Sequence, residues 1–431
     1  MSEWRTVKLS DLGSVITGKT PPGNDPIYFG GDVDFLTPSD MVNGHRTPKV
    51  ERTISSFGVQ KFNKLLIHKG VGVSCIGWQM GKSVLIERQT ITNQQINSIL
   101  VNEQVADPLF VYYSLTSRRN ELFNLGAGGS RTPILNKGNF EQLPFLCPPL
   151  PEQKAIASIL SSLDDKIELN RRMNETLEEM ARAIFKDWFV DFGPTRAKIE
   201  GRAPYLSEHL WALFPEAINV ETGLPQGWEI SPFESIVSVK DGTHDSPKMS
   251  AFGYPLITSK HLKDGYIDFD SAYLISEKDF LEVNKRSKVD RLDILITMIG
   301  TVGNLFFVDY KSIDFAIKNV GLFKTSEKPY LAEYLYLFLE SSSITNYLKS
   351  RQSGTTQSYL TLKSLRTIPV VLPNVELVEA FKANVNSVFE RITLNRDESC
   401  TLAELRDRLL PKLMSGEIRV KDAEKLAEDA V

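Results

Sequence analysis

Apolar residues recur at helical spacing along two long tracts of the chain and in short strand-like runs elsewhere. After Pro148-Pro149-Leu150-Pro151, residues 152–188 contain neither glycine nor proline. A heptad frame fits them, with Ile156, Leu163, Asn170, Leu177 and Ile184 at a, and Ile159, Lys166, Met173, Met180 and Asp187 at d. Seven of those ten are apolar, which predicts a helix with one sticky stripe. A second tract, 377–413, carries a weaker version: Phe381, Val388, Asn395, Leu402 and Leu409 at a, and Asn384, Arg391, Glu398, Leu405 and Lys412 at d. Thirty-seven residues of helix span roughly 55 Å at 1.5 Å per residue. A helix so long with a single apolar stripe needs a partner, and the other tract is the obvious one.

The remaining sequence predicts mixed α and β structure. Val71–Ile76 and Ile294–Ile299 are short β-branched runs beside glycine, as buried strands are. Leu109–Thr116 and Leu331–Leu339 are aromatic-rich and predict short helices. Turns are marked by Pro21-Pro22-Gly23, Gly30-Gly31-Asp32, Gly126-Ala127-Gly128-Gly129 and Asp241-Gly242. Loops of this kind on a rigid scaffold commonly hold binding residues.

The chain repeats itself at a period near 225. Leu169-Asn170-Arg171 recurs as Leu394-Asn395-Arg396, Thr176-Leu177 as Thr401-Leu402, and Pro144 as Pro369, all at an offset of 225. Trp4 pairs with Trp228, and the run VGVSCIG (71–77) with ILITMIG (294–300). This gives an α+β architecture: two mixed α/β globules in tandem, each followed by a long helix, with the two helices paired as an antiparallel coiled coil. The expected divisions are a first globule at 1–147, a helix at 148–192, a linker at 193–225, a second globule at 226–373, a helix at 374–414 and a charged tail at 415–431. Repeats related by a pseudo-twofold axis would cross near Asn170 and Asn395, placing a polar layer in the seam that fixes register.

Length and composition agree with a multidomain globular protein: 431 residues, 42% hydrophobic and 24% charged. No apolar run approaches a membrane span, and Met1-Ser2-Glu3-Trp4-Arg5 leads directly into domain-like sequence. Cys75, Cys147 and Cys400 are too few and too scattered for a disulfide framework or a zinc site, so a reducing cytoplasm is expected. The net charge of −4 hides an asymmetry. Residues 1–145 hold 15 Lys+Arg against 12 Asp+Glu, and 226–372 hold 17 against 17, whereas 151–192 hold 6 against 9. The acid gathers on a helical tract and leaves the globules compatible with a polyanion.

No self-contained catalytic site emerges. Gly77-Trp78-Gln79-Met80-Gly81-Lys82-Ser83 has three residues between its glycines where a phosphate-binding loop has four. Cys147-Pro148-Pro149-Leu150 lacks both the polar residue and the aromatic of an amino-methyltransferase motif. The five histidines show no metal-ligand spacing, and no Gly-x-Ser-x-Gly elbow is present.

The segments PPLPEQKAIASILSSLDDKIELNRRMNETLEEMARAIFKDWFVDFGPTRAK (148–198) and LRDRLLPKLMSGEIRV (405–420) resemble the conserved regions of specificity subunits of type I restriction-modification systems. Thr37-Pro38-Ser39-Asp40 and GLPQGW (223–228) are similar to that family as well. The resemblance implies that each globule is a target-recognition domain reading one half of a split, asymmetric site in double-stranded DNA. It implies that the helices space these domains and dock two methyltransferase subunits that use S-adenosylmethionine on adenine. Two motor-endonuclease subunits would add cleavage driven by ATP with Mg. The chain itself would carry no cofactor, no metal and no catalytic residue. The competing expectation is a duplicated protein-interaction scaffold without DNA specificity.

Loop residues able to read bases supply the candidate contacts, because amides match adenine and Arg or Lys matches guanine in the major groove. In the first globule these are Lys19, Ser39, Gln79, Lys82, Gln94, Gln95 and Arg131. In the second they are His244, Lys260, His261, Asn304, Lys318, Asn319 and Gln357.

Overall fold

The computed structural model describes residues 4–23, 25–42, 46–127, 132–263, 265–353 and 358–428. The Gly128-Gly129 half of one predicted turn lies outside them. The chain forms two compact units, one made of 1–172 with 395–431, the other of 173–394. Both borders fall inside the long helices, not at their ends.

The first unit contains β1 (Arg5–Lys8), β2 (Gly13–Thr17), β3 (Phe29–Leu36), β4 (Thr53–Ile54), β5 (Gly70–Ser74), β6 (Ser83–Ile86), β7 (Thr90–Thr92), β8 (Ile96–Val101) and β9 (Pro144–Cys147). They form a four-stranded sheet in the order β2-β8-β5-β6, a three-stranded sheet β4-β3-β7 and the pair β1-β9. The all-buried β5, with Val71 and Val73, sits at the centre of the first sheet, as its β-branched composition predicts. The aromatic-rich helix Pro108–Ser117 buries Phe110 and Tyr113 against this core.

The second unit contains β10 (Glu229–Pro232), β11 (Val239–Asp241), β12 (Met249–Ile257), β13 (Leu262–Lys263), β14 (Tyr266–Ile267), β15 (Leu274–Ile275), β16 (Ile294–Thr297), β17 (Leu305–Phe307), β18 (Ala316–Ile317), β19 (Val320–Phe323) and β20 (Pro369–Leu372). The sheets repeat the first unit's topology: β11-β19-β16-β17, then β15-β12-β18, then β10-β20. Even the mixed character recurs. β3 pairs parallel to β7 and antiparallel to β4, and β12 pairs parallel to β18 and antiparallel to β15. The second unit also holds the β13-β14 hairpin, which has no counterpart among the described residues of the first.

The long helices run over Leu150–Phe185 and Val375–Ser415. Gln153 ties the first one down. It is fully buried, its amide donates to the Pro148 carbonyl at 2.8 Å, and its carbonyl accepts from Asp107 N at 2.9 Å. Within the first unit, Ile156, Leu160 and Leu163 join Leu402, Leu409 and Leu413 in the core of the globule. Within the second, Ala181, Phe185, Trp188 and Phe189 join Leu377, Phe381, Val385 and Val388. Each unit is therefore sealed by one half of each helix. The helices are antiparallel in both: Lys166 pairs with Glu398 and Asp164 with Arg406 in the first unit, and Asn174 meets Ile392 and Phe185 meets Phe381 in the second.

The predicted a positions are buried along the second helix, but of its d positions only Leu405 is. Asn384 and Arg391 are exposed, and so is Met180 at 51%. The buried companions lie four residues after a, at Leu160, Val385 and Leu413. A helix packed at once on a partner helix and on a globule needs a wider stripe than a two-stranded seam does. The expected linker is also partly ordered, with helices at Gly193–Ile199 and Glu208–Ala212 and with Thr195, Ala197 and Phe214 buried. The tail forms a helix, Val420–Glu428, that buries Ala423 in the first unit's core. No helix among the described residues is long and apolar enough to cross a membrane.

Candidate nucleic-acid interface

Four loops gather beside the mixed sheet of the first unit, and the counterparts of the first three meet in the second. The first is the tight 3₁₀ turn that follows β3 or β12. In the first unit this is Thr37-Pro38-Ser39-Asp40. The Asp40 carboxylate accepts from Thr37 N and from Thr37 Oγ1, both at 2.7 Å, and Ser39 Oγ lies 2.7 Å from Thr37 Oγ1. Asp40 is buried, so its charge is spent on holding the turn, while Ser39 stands exposed at its tip. In the second unit, Thr258-Ser259-Lys260-His261 makes the same turn. Thr258 N donates to His261 Nδ1 at 2.9 Å, so the imidazole does the work of the Asp40 carboxylate.

This corrects one expected contact. His261 is fully buried and accepts a main-chain hydrogen bond, so it positions the loop and presents no edge to a base. Burial, with help from the Lys260 charge, holds its pKa below the usual histidine value and keeps Nδ1 free to accept. Lys260 is exposed on the same turn.

The second loop leaves β2 or β11. Lys19 N donates to Thr92 O at 2.9 Å, and the equivalent Thr243 N to Ile317 O at 3.1 Å. The third loop precedes β8 or β19. These two loops meet through their side chains in each unit. Thr20 Oγ1 donates to Gln94 Oε1 in the first. In the second, His244 Nδ1 lies 2.9 Å from Asn319 Oδ1, its Nε2 lies 3.0 Å from the buried Asp241, and Lys318 Nζ donates to Ser246. Asn319 adopts φ +53°, a left-handed conformation that asparagine tolerates better than most residues. Arg286 also pairs with Asp241, so the carboxylate anchors a cluster of basic and amide groups.

The fourth loop joins β5 to β6, or β16 to β17. In the first unit it is Gly77–Gly81. Ser83 begins a strand, so no helix N-terminus follows to receive a phosphate. Lys82 turns away and donates to Met41 O at 2.7 Å. Its partial burial and the nearby Arg119 charge lower its pKa, making it a loop tether. Asn304, in the corresponding loop, is half-buried, and its N donates to Thr297 Oγ1 at 2.9 Å.

In the first unit these loops enclose an open cleft of about 510 Å³, lined among others by Ser39, Arg52, Trp78, Gln79, Asn93 and Gln95. Asn93 Nδ2 donates to Gln95 Oε1 at 3.2 Å, fixing the Gln95 amide. Of the expected residues, the cleft gathers Ser39, Gln79 and Gln95. Gln94, between two lining residues, bonds Thr20 instead, and exposed Lys19 holds its ammonium 6.0 Å from the Phe62 ring. Arg131 and Gln357 lie outside the described residues. Two lining residues lie outside the expected set: Arg52, whose guanidinium stacks 4.1 Å over Phe29, and Trp78, which is 78% exposed. The signal for Trp78 was an aromatic in a glycine-bounded loop whose repeat partner has none.

A duplicated α/β unit with convergent polar loops defines a tandem recognition module. The model of the type I restriction modification DNA specificity domain matches residues 1–179 and again 225–381. The chain belongs to that family, the specificity subunits of type I restriction-modification systems. It is 26% identical to the type I restriction enzyme MjaIX specificity subunit of Methanocaldococcus jannaschii, over 97% of this chain and 94% of that one. It is equally similar, at 26%, to the HindI specificity subunit of Haemophilus influenzae, over 97% of this chain and the whole of that one. The fold matches the crystal structure of a type I S subunit from M. genitalium with a TM-score of 0.51 at 18% identity, covering 96% of both chains.

Proposed function

We propose that this chain reads a bipartite, asymmetric site in double-stranded DNA, one half-site per unit, and directs partner subunits to it. The observation that carries this reading is the duplicated loop site: one scaffold, made twice, with different side chains at equivalent positions. Thr20 in one unit stands where His244 stands in the other, and Asn93, whose N donates to Leu36 O, stands where Lys318 donates to Ile257 O. Such a pair suits two different short sequences better than one repeated sequence.

Two methyltransferase subunits, bringing S-adenosylmethionine to adenine, and two motor-endonuclease subunits, using ATP and Mg, would supply the chemistry in the cytoplasm. The helices support a duplicated partner. Ser162 and Leu169 in the first unit recur at offset 225 as Ser387 and Leu394 in the second, and all four are exposed. The leucines are 52% and 56% exposed, a cost in free chain that a docked partner would offset.

The test is electrophoretic mobility shift on a library of duplexes at moderate salt, with and without the methyltransferase subunits. Retention of duplexes sharing two short motifs at a constant separation is expected. Retention of the partner subunits without any enrichment of sequence would favour a scaffold.

A further inference from the structure

We propose that Trp78 and Gln79 form the reading tip of the first unit: the Trp78 indole packs on base edges and Gln79 pairs with an adenine of the first half-site. This deepens the DNA-reading function proposed above and rests on it.

Four observations converge. The Gly77–Gly81 loop is rigidly placed. Both glycines adopt φ +85°, and Met80 between them is buried at 1%. A Cβ on Gly81 would stand 2.6 Å from the Arg119 carbonyl, so the chain approaches too closely there for any other residue. Anchored at three points, the loop sends Trp78 and Gln79 outward.

Trp78 is 78% exposed, and among the described residues its one ring contact is a tilted one with Phe123 at 6.0 Å between centroids. The second unit supplies an internal control. Its equivalent loop, Gly300-Thr301-Val302-Gly303, joins the equivalent strands with the same left-handed glycines, at φ +82° and +95°, and carries no aromatic. The hairpin thus folds without a tryptophan, and the indole in the first unit is not there to hold it together.

Trp78 and Gln79 both line the cleft, where Asn93 and Gln95 present two further amides. Amides pair with the N6 and N7 positions of adenine in the major groove, and an indole offers apolar surface to a thymine methyl. Arg52, held over Phe29, supplies a cation at the same rim for the phosphate backbone.

The experiment expresses the full chain with its methyltransferase subunits in a host lacking other adenine methylation and sequences the methylated sites. Gln79→Ala should relax one adenine position of one half-site, lowering discrimination there by about fivefold to a hundredfold. Trp78→Ala should weaken duplex binding at all sites by tenfold or more while Trp78→Phe retains it. The other half-site should not change in any variant. Thermal unfolding should match the parent chain, since the twin loop tolerates small residues. Gln79→Ala and Trp78→Ala chains that methylate the same motif with unchanged stringency and affinity would overturn the proposal. A parent chain that yields no split motif at all would overturn the DNA-reading function itself, which is a separate result.

Discussion

The side-chain amide of Asn170 donates to the main-chain carbonyl of Asn395 at 3.3 Å, joining two residues 225 positions apart in sequence. Both are buried, at 0% and 1% exposure. The repeat arithmetic locates this meeting point, but the bond is not the side-chain pair that two facing asparagines suggest. The same Nδ2 also reaches Glu398 Oε2 at 2.7 Å and Ser399 Oγ at 3.3 Å. Asn170 Oδ1 is buried without a hydrogen-bond partner among the described residues.

The coupling should therefore run from Asn170 to Glu398. A hydrogen bond to a charged group contributes about 1.5–3 kcal/mol, and removing either end forfeits it. A cycle of Asn170→Leu, Glu398→Ala and the double variant should be non-additive by about 1 kcal/mol or more in urea unfolding. Additive losses would mean that this contact does not form in solution.

Asp164 offers a second, stronger test of the first unit. It is buried, accepts from Arg406 at 2.7 Å and from the Tyr113 hydroxyl at 2.6 Å, and so ties both long helices to the globule. Tyr113 has its pKa raised by burial first and by the Asp164 charge second, which keeps the phenol protonated as a donor. Asp164→Ala leaves the largely buried Arg406 cation with exposed Asp407 as its remaining ion-pair partner among the described residues. Breaking one side of a buried pair costs about 3–5 kcal/mol. A loss under 1 kcal/mol in chemical unfolding would contradict the tie.

Acid should expose a smaller electrostatic contribution. Hydrogen bonds from Arg171, then Arg172, outweigh partial burial and hold Glu168 at about 2, below its ordinary value near 4.5. A depressed carboxylate stabilises the fold fully above pH 4.5 and loses that stabilisation as pH falls toward 2. The group is more than a third exposed, so solvent screening limits the effect to roughly 0.2–1 kcal/mol. Glu168→Gln should lower the midpoint of thermal unfolding slightly at pH 7 and not at pH 2. An equal effect at both would exclude the ion pairs as its cause.

How much of this the residues announce depends on how local the cause is. The helices, the buried strands β5 and β16 and the tandem repeat follow from spacing alone, because periodicity reports burial directly. The failure of the d positions Asn384 and Arg391 has a tertiary cause: each helix half faces a globule as well as its partner, and no heptad encodes that. In the loops, chemical type marks candidates but not direction. His261 and Lys82 have suitable side chains, yet one is turned inward to cap Thr258 and the other bonds Met41. Trp78 is legible only by comparing the repeats, since an isolated tryptophan reads as core.

Exchange of one whole globule should test the independence of the half-sites. Replacing residues 1–147 with the corresponding globule of another family member should change one half of the methylated motif and leave the other. A change in both halves would show that the units read jointly.

The most direct measurement is single-molecule methylation sequencing of a host that carries this chain with its methyltransferase subunits and no other adenine methylase. One motif is expected, made of two different short sequences separated by a gap of constant length, with methylated adenine in each. An uninterrupted motif, a palindromic pair of identical halves, or methylation without sequence preference would contradict that expectation.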